Sequence, residues 1–206
     1  SIQRKGSNSF EALNEPIILD GPYSNSAFDI VCKNDKVYMI IGGKDLLNGK
    51  RFDKGGYILT YDYDKWSFID PKEAQKKLNL PRNPRDYTSI AVTTDDSNDE
   101  IVYASSMGDG VIQYKNGTPV QSYNEKNAFK ETAGGYGSGY CYIDGLAFDK
   151  NGNLWMTSSE VNHAVLVLDK AGAWHRLDIE QLRGVYTIND ILTVSYTHLR
   201  AHETDR

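Results

Sequence analysis

Short runs of apolar or alternating residues, each closed by Asp, Asn, Gly or Lys, recur along the chain. The clearest set fills 142–178: Ile143-Asp-Gly-Leu-Ala-Phe-Asp149, Leu154-Trp-Met-Thr157, Ala164-Val-Leu-Val-Leu-Asp169 and Trp174-His-Arg-Leu177. Period-two runs of this length predict a four-stranded antiparallel meander. Asn151-Gly152 between the first two runs predicts a type I′ hairpin, because that turn needs positive φ at both central residues.

The same order of runs appears twice more. One copy is Phe28-Asp-Ile-Val-Cys32, Val37-Tyr-Met-Ile-Ile41, Tyr57-Ile-Leu-Thr-Tyr61 and Trp66-Ser-Phe-Ile69; another is Thr88-Ser-Ile-Ala-Val92, Ile101-Val-Tyr-Ala104, Gly110-Val-Ile-Gln-Tyr114 and Val120-Gln-Ser-Tyr123. Aligned on the first run, Ile30, Ile90, Leu146 and Ile191 recur at intervals of 60, 56 and 45 residues. Repeats of one sheet each are the mark of a propeller, in which stacking buries the two apolar faces that a lone sheet leaves open.

The pattern therefore predicts an all-β chain, an incomplete β-propeller of about three four-stranded antiparallel blades plus the start of another. The blades fall at about 21–70, 86–124 and 140–178 within a propeller region 21–192, and a fourth begins at 185. Residues 1–20 read as the end of a preceding blade or a linker. With about three blades present, at least one sheet face is expected to stay open. Tyr38, Tyr103 and Trp155, all in second strands, are expected to fill the gaps between blades.

Between blades, Asp70-Pro-Lys-Glu73 supplies an N-cap, a proline at the first helical position and a Glu three residues on, before a stop at Pro81. This predicts a short crossover helix, with 178–184 as its counterpart after the third blade. Residues 42–56 read as a long polar loop between the second and third strands of the first blade.

Residues 194–204, Val194 to Thr204, resemble the translation of a transposase-type sequencing adapter. The tail 193–206 is accordingly expected to be non-native and disordered, and the natural protein to continue past Leu192. The His198 and His202 pair, at a helical zinc-ligand spacing, is then an accident of that tail.

Composition narrows the partners. The 206 residues carry a net charge of −5 without a basic stripe, which argues against nucleic acid. No apolar run approaches the ~18 residues of a membrane span. The polar start, Ser1-Ile-Gln-Arg-Lys-Gly6, contains no signal peptide, and nothing about export follows from that. Cys32 and Cys141 are expected as free, buried thiols.

Candidate chemistry is sparse. Asp62, Asp64, Asp95, Asp96 and Asp99 lack calcium-loop spacing and read as acidic turns, so no metal is expected. Gly134-Gly-Tyr-Gly-Ser-Gly-Tyr140 lacks the Lys-Ser/Thr of a phosphate loop and reads as an inter-blade loop. Its Tyr136 and Tyr140 are weak candidates to stack on a sugar or partner. His163 and His175 show no nucleophile pairing, and no pattern calls for a cofactor or a catalytic residue.

Tyr142-Ile-Asp-Gly-Leu-Ala-Phe-Asp-Lys-Asn-Gly-Asn-Leu-Trp-Met-Thr157 resembles the two-component-regulator propeller repeat, with Asp149, Gly152, Asn153 and Trp155 as its structural signature. The first two copies lack the Gly-Asn-Leu-Trp core. As a whole, 16–192 resembles the PorZ-like propellers of Bacteroidetes type IX secretion systems. The features that carry this are Gly21-Pro-Tyr-Ser-Asn25, Val37-Tyr-Met-Ile-Ile-Gly-Gly43, Gly152-Asn-Leu-Trp155 and Val165-Leu-Val-Leu-Asp-Lys-Ala-Gly-Ala-Trp-His175.

That resemblance implies a whole protein with two propellers and a C-terminal sorting domain, exported to the outer-membrane surface or periplasm. It implies secretion-system proteins or surface polysaccharide as partners, in the complex that attaches cargo to lipopolysaccharide, and it carries over no active site. Three functions follow as expectations: a non-enzymatic scaffold of that complex; alternatively, a carbohydrate-sensing propeller of a hybrid two-component regulator; or a propeller hydrolase or lyase with a central metal. The missing downstream domain discriminates them.

Overall fold

The computed structural model describes residues 2–5, 9–12, 21–129, 133 and 139–193, the first two segments as backbone alone. Strands β1 (Ile2–Lys5) and β2 (Ser9–Ala12) form a hairpin. The tail 194–206 lies outside the described residues.

Three four-stranded antiparallel blades follow, making the chain an incomplete β-propeller. Blade one is β3 (Ala27–Lys33), β4 (Lys36–Ile41), β5 (Ile58–Asp62) and β6 (Lys65–Ile69). Blade two is β7 (Tyr87–Thr94), β8 (Glu100–Gly108), β9 (Gly110–Lys115) and β10 (Thr118–Tyr123). Blade three is β11 (Cys141–Phe148), β12 (Leu154–Ser158), β13 (Val165–Leu168) and β14 (Trp174–Leu177). The start of β11 also pairs with the end of β8, through Tyr142↔Met107 and Cys141↔Gly108, so blades two and three share a continuous ladder.

Blade two is buried on both faces, which explains the near-continuous apolar run of β8. Val102 and Ala104 pack with Tyr38, Ile40 and Ile58 of blade one, while Ile101 and Tyr103 pack with Leu154, Met156 and Leu166 of blade three. The first strands line a central cavity of about 360 Å³, with β3, β7, β11 and 190–193 each contributing a wall. The four residues aligned by the repeat, Ile30, Ile90, Leu146 and Ile191, all face it.

Cross-strand register places Ile30, Met39, Leu59 and Phe68 in one row on the opposite side of blade one from Tyr38 and Ile58. That side is open at the row's two ends, where Ile30 is 57% and Phe68 49% exposed, while Leu59 between them is buried. Tyr23 stacks on Phe68 at 4.8 Å and covers part of it.

Helix α1 (Pro71–Leu78) starts as its capping residues dictate. The Asp70 side chain accepts from the Lys72 N–H, and Asn79 ends the helix in the left-handed region. The expected counterpart at 178–184 is instead a single 3-10 turn, Glu180–Leu182, because Ile179 supplies no side-chain cap and no proline sets the first turn.

Turn chemistry departs from expectation in one place. Asn34-Asp35 and Asn116-Gly117 each take positive φ at both residues, the type I′ pattern. At Asn151-Gly152 only the glycine does, with φ +84°. The Asp149 carboxylate accepts from the N–H groups of Asn151 and Asn153, and the Gly152 N–H bonds the Asp149 carbonyl. A side chain that collects these donors favours a longer turn opened by Asp149 over the two-residue one. Asp169 builds the same turn through Gly172 and Ala173.

Cys32 is a second correction: it is exposed on the open side of blade one, whereas Cys141 is buried and its thiol is pushed up to about 12 by desolvation.

Candidate functional site

Successive strands run up and down each blade, so the β4–β5 loop and the inter-blade connections all gather at one end of the cavity. The turns after the first and third strands of each blade gather at the other. The loop end carries the most concentrated buried polar chemistry.

After β4 the chain passes through Gly42 and Gly43, at φ +136° and +85°. A Cβ on Gly43 would lie 2.0 Å from the Phe28 ring, and one on Gly42 would lie 2.4 Å from the Tyr87 backbone nitrogen. Only glycine permits this path, which presses the loop base onto blades one and two. The path delivers Lys44 into blade three.

There the Lys44 Nζ donates to Asp144 Oδ1 at 2.5 Å and to the Tyr142 hydroxyl at 2.9 Å, with both charged side chains fully buried. The second Asp144 oxygen accepts from Ser159 Oγ at 2.6 Å, and Ser159 Oγ accepts from the Ile188 N–H at 2.9 Å. One hydrogen-bonded chain thus joins the loop of blade one, strand β11 and the end of β12 in blade three, and the start of the fourth repeat. Desolvation raises the Asp144 pKa, and Lys44 and Ser159 pull it part of the way back.

A second knot lies beside it. Asp86 is buried at φ +47°; its N–H bonds the Lys54 carbonyl and its Oδ1 accepts the Lys54 N–H. Burial raises its pKa. Arg51 reaches Asp86 Oδ2 at 3.7 Å, donates to Asp53 at 2.7 Å through Nε, and faces the Tyr140 hydroxyl. Both knots hold the 42–57 loop down. Most of their polar groups are used on one another, an arrangement that orders a loop, although Asp86 Oδ2 has only the Arg51 cation at 3.7 Å.

First strands are also stitched directly. Asp29 Oδ2 accepts from Ser89 Oγ at 3.1 Å and from the Ile90 N–H at 3.0 Å, and Ser89 Oγ accepts from the Leu146 N–H at 3.2 Å. At the next position round the cavity Gly145 has no side chain, and a Cβ there would sit 2.6 Å from the Ile191 nitrogen.

The residues singled out from the sequence lie elsewhere. Tyr136 is outside the described residues. Tyr140 is 8% exposed, set edge-on to Tyr142 and close against Gly108, and it lines the adjoining 370 Å³ cleft with Arg82, Asp109, Glu125 and Lys126. Asp149, Gly152, Asn153 and Trp155 meet in one turn at the opposite end. Asp149 Oδ2 accepts from Trp155 Nε1 at 3.0 Å and from Asn153 Nδ2 at 2.8 Å. Desolvation alone would raise the Asp149 pKa, but the bonds from Trp155, Asn153 and Asn151 outweigh it and hold it at about 2.

Trp155 is half-buried, not core like Tyr38 and Tyr103, since it lies on the face of β12 turned away from Leu154 and Met156. Among the acidic turns, Asp95 and Asp99 share the Lys115 ammonium at 2.7 and 2.8 Å. His175 meets Asp169 at 2.7 Å on the surface.

Lys44, Asp86 and Asp144 were not singled out in advance. Asp144 carried a signal, a charge inside the apolar run 143–148, which demands a partner if the strand is buried. Lys44, in a Gly- and Lys-rich loop, reads like any solvated lysine.

No family model matches the sequence, and no curated protein matches it. Among solved structures, PorZ, an essential surface component of the type IX secretion system of Porphyromonas gingivalis, aligns with a TM-score of 0.69 and 22% identity over 91% of this chain. The chain spans about a quarter (24%) of that structure's length. An α-L-arabinofuranosidase from Clostridium thermocellum aligns at a TM-score of 0.38 with 12% identity, over 76% of this chain and 58% of its own.

Proposed function

We propose that this chain is part of a non-enzymatic propeller scaffold in a type IX secretion attachment complex, exported to the bacterial outer-membrane surface. The observation that carries the reading is the shared fold with PorZ over 91% of the chain. The chemistry at the loop end agrees with it: the buried carboxylates hold the loop, Asp86 Oδ1 by accepting from the Lys54 backbone N–H and Asp144 by accepting from Lys44 and Ser159. We read blade three as a repeat of the two-component-regulator type, on the strength of the Asp149–Trp155 turn. Its partners are secretion-system proteins, met through the loop end.

Deletion of the complete gene tests the reading. Cargo that is normally surface-anchored is expected in the culture medium of the deletion strain, and the full-length protein in the outer-membrane surface fraction. Unchanged cargo anchoring would sink the scaffold.

A further inference from the structure

Residues 42–56 read as a polar loop in sequence, yet 44–52 form a folded hairpin with Leu46 and Leu47 at its apex. Lys44 and Arg51 bridge its two arms, and Phe52 N–H bonds the Gly43 carbonyl. At the tip, the Asp45 carboxylate accepts from the Leu47 N–H at 2.9 Å and from Asn48 Nδ2 at 2.7 Å, its carbonyl accepts from the Gly49 N–H, and its own N–H bonds the Lys50 carbonyl. Below, Lys44 anchors the arm in blade three. Gly49 lies against the partly exposed ring of Tyr186, where a Cβ would come within 3.2 Å.

Several of its backbone N–H groups are met inside the hairpin, and the apex leaves Leu47 at 98% and Leu46 at 60% exposure, while Phe52, at the base beyond the Lys44–Arg51 bridge, is 47% exposed. A scattered apolar residue on a surface is ordinary. Three on one nine-residue hairpin that is tied together by its own hydrogen bonds are different. A knob folded before it docks loses less conformational freedom on binding, which is how pre-organisation raises affinity. The charge beside it is also inverted. Residues 50–54 contain Lys50, Arg51 and Lys54 against Asp53, a local +2 (3 − 1) in a chain of −5. Lys54 Nζ sits over the Phe52 ring at 5.6 Å.

We propose that hairpin 44–52 is the docking knob for a partner protein that presents an apolar pocket rimmed by carboxylates, with Leu47 as the inserted side chain and Lys50 and Lys54 meeting the rim. The proposal deepens the scaffold reading by naming the surface through which the loop end engages its partner.

A photo-crosslinking amino acid at position 47 of the full-length protein in its host tests it, with position 63 at the other end of the blades as comparison, Tyr63 being 81% exposed. The expected result is one dominant adduct from 47 that is missing from 63. The captured protein, purified, should bind the parent chain and bind Leu47→Asp at least tenfold more weakly, while Lys50→Glu/Lys54→Glu slows association several-fold at low salt. Leu47 buries nothing within the chain, so unchanged unfolding of Leu47→Asp separates lost docking from lost folding. No adduct above that of position 63, an adduct with a second copy of the chain, or equal affinity for Leu47→Asp would each overturn the knob. Because crosslinking does not read cargo anchoring, an adduct that meets these criteria in a strain whose deletion leaves cargo anchored keeps the knob and removes the scaffold.

Discussion

Lys44 and Asp144 are 100 positions apart in the chain, and their side chains meet at 2.5 Å in a site with almost no solvent contact. Such a pair gains little over two well-packed apolar residues, because each ion loses its hydration on burial. Losing one member is another matter. Lys44→Met is expected to lower unfolding stability by about 3–5 kcal/mol, since Asp144 then stays buried without its cation. Lys44→Met/Asp144→Leu is expected to recover most of that loss. Denaturant midpoints of the single and double variants check this, and a double variant weaker than both singles would count against the latch.

The inner strands depend on Ser89, whose hydroxyl donates to Asp29 and accepts from the Leu146 N–H. Ser89→Ala leaves a carboxylate oxygen and a buried amide with one partner fewer. A loss of about 1–3 kcal/mol is expected. Asp29→Asn should cost less, since an amide oxygen still accepts from Ile90 N–H. Thermal unfolding of the two variants ranks them, and the reverse order would refute the stitching role of Ser89.

Asp149 gives a pH signature. Its folded pKa of about 2 lies below the ordinary value of about 3.9. For a depressed carboxylate, the stabilisation is complete above the unfolded value and fades as pH falls through the folded one. Asp149→Asn should therefore be less stable than the parent at pH 7, with the gap closing between about pH 4 and pH 2. Tryptophan fluorescence during urea unfolding reads this, with Trp66 and Trp174 replaced by Phe so that Trp155 reports alone. A gap that stays constant down to pH 2 would show that the carboxylate charge is irrelevant to the turn.

The blade pattern was legible because it is a repeated local signal. Period-two runs ending in turn residues fix strands, and the recurrence of Ile30, Ile90, Leu146 and Ile191 anticipates the cavity they line. The Asp70-Pro71 helix start was legible for the same reason, since a cap acts within one turn. What the pattern missed is long-range. Nothing local marks Lys44 as a residue that crosses to blade three, nor shows that Asp45 folds a polar-looking loop into a hydrogen-bonded hairpin. Cys32 and Trp155 were assigned to the core by residue type, but their exposure depends on which sheet faces have a neighbour. The Asn151-Gly152 turn misled because Asp149, two residues earlier, competes for the same backbone donors.

Gly145 tests the fourth repeat. Its backbone does not adopt positive φ, so any cost of a side chain there comes from contact, and an added Cβ would meet Ile191 N at 2.6 Å and the Asp190 carbonyl carbon at 2.8 Å. Backbone atoms give way poorly, and residues 190–193 are a single segment resting on β11. Gly145→Ala is therefore expected to displace 188–193 while blades one to three stay folded, because their cores lie on either side of blade two. Hydrogen exchange reads the result directly: the Ile188 amide, which donates to Ser159 Oγ, should lose protection, and amides of β8 should keep theirs. Faster exchange throughout β8 would mean that the segment is integral to the three-blade core, and unchanged exchange at Ile188 would mean that Gly145 is not what admits it.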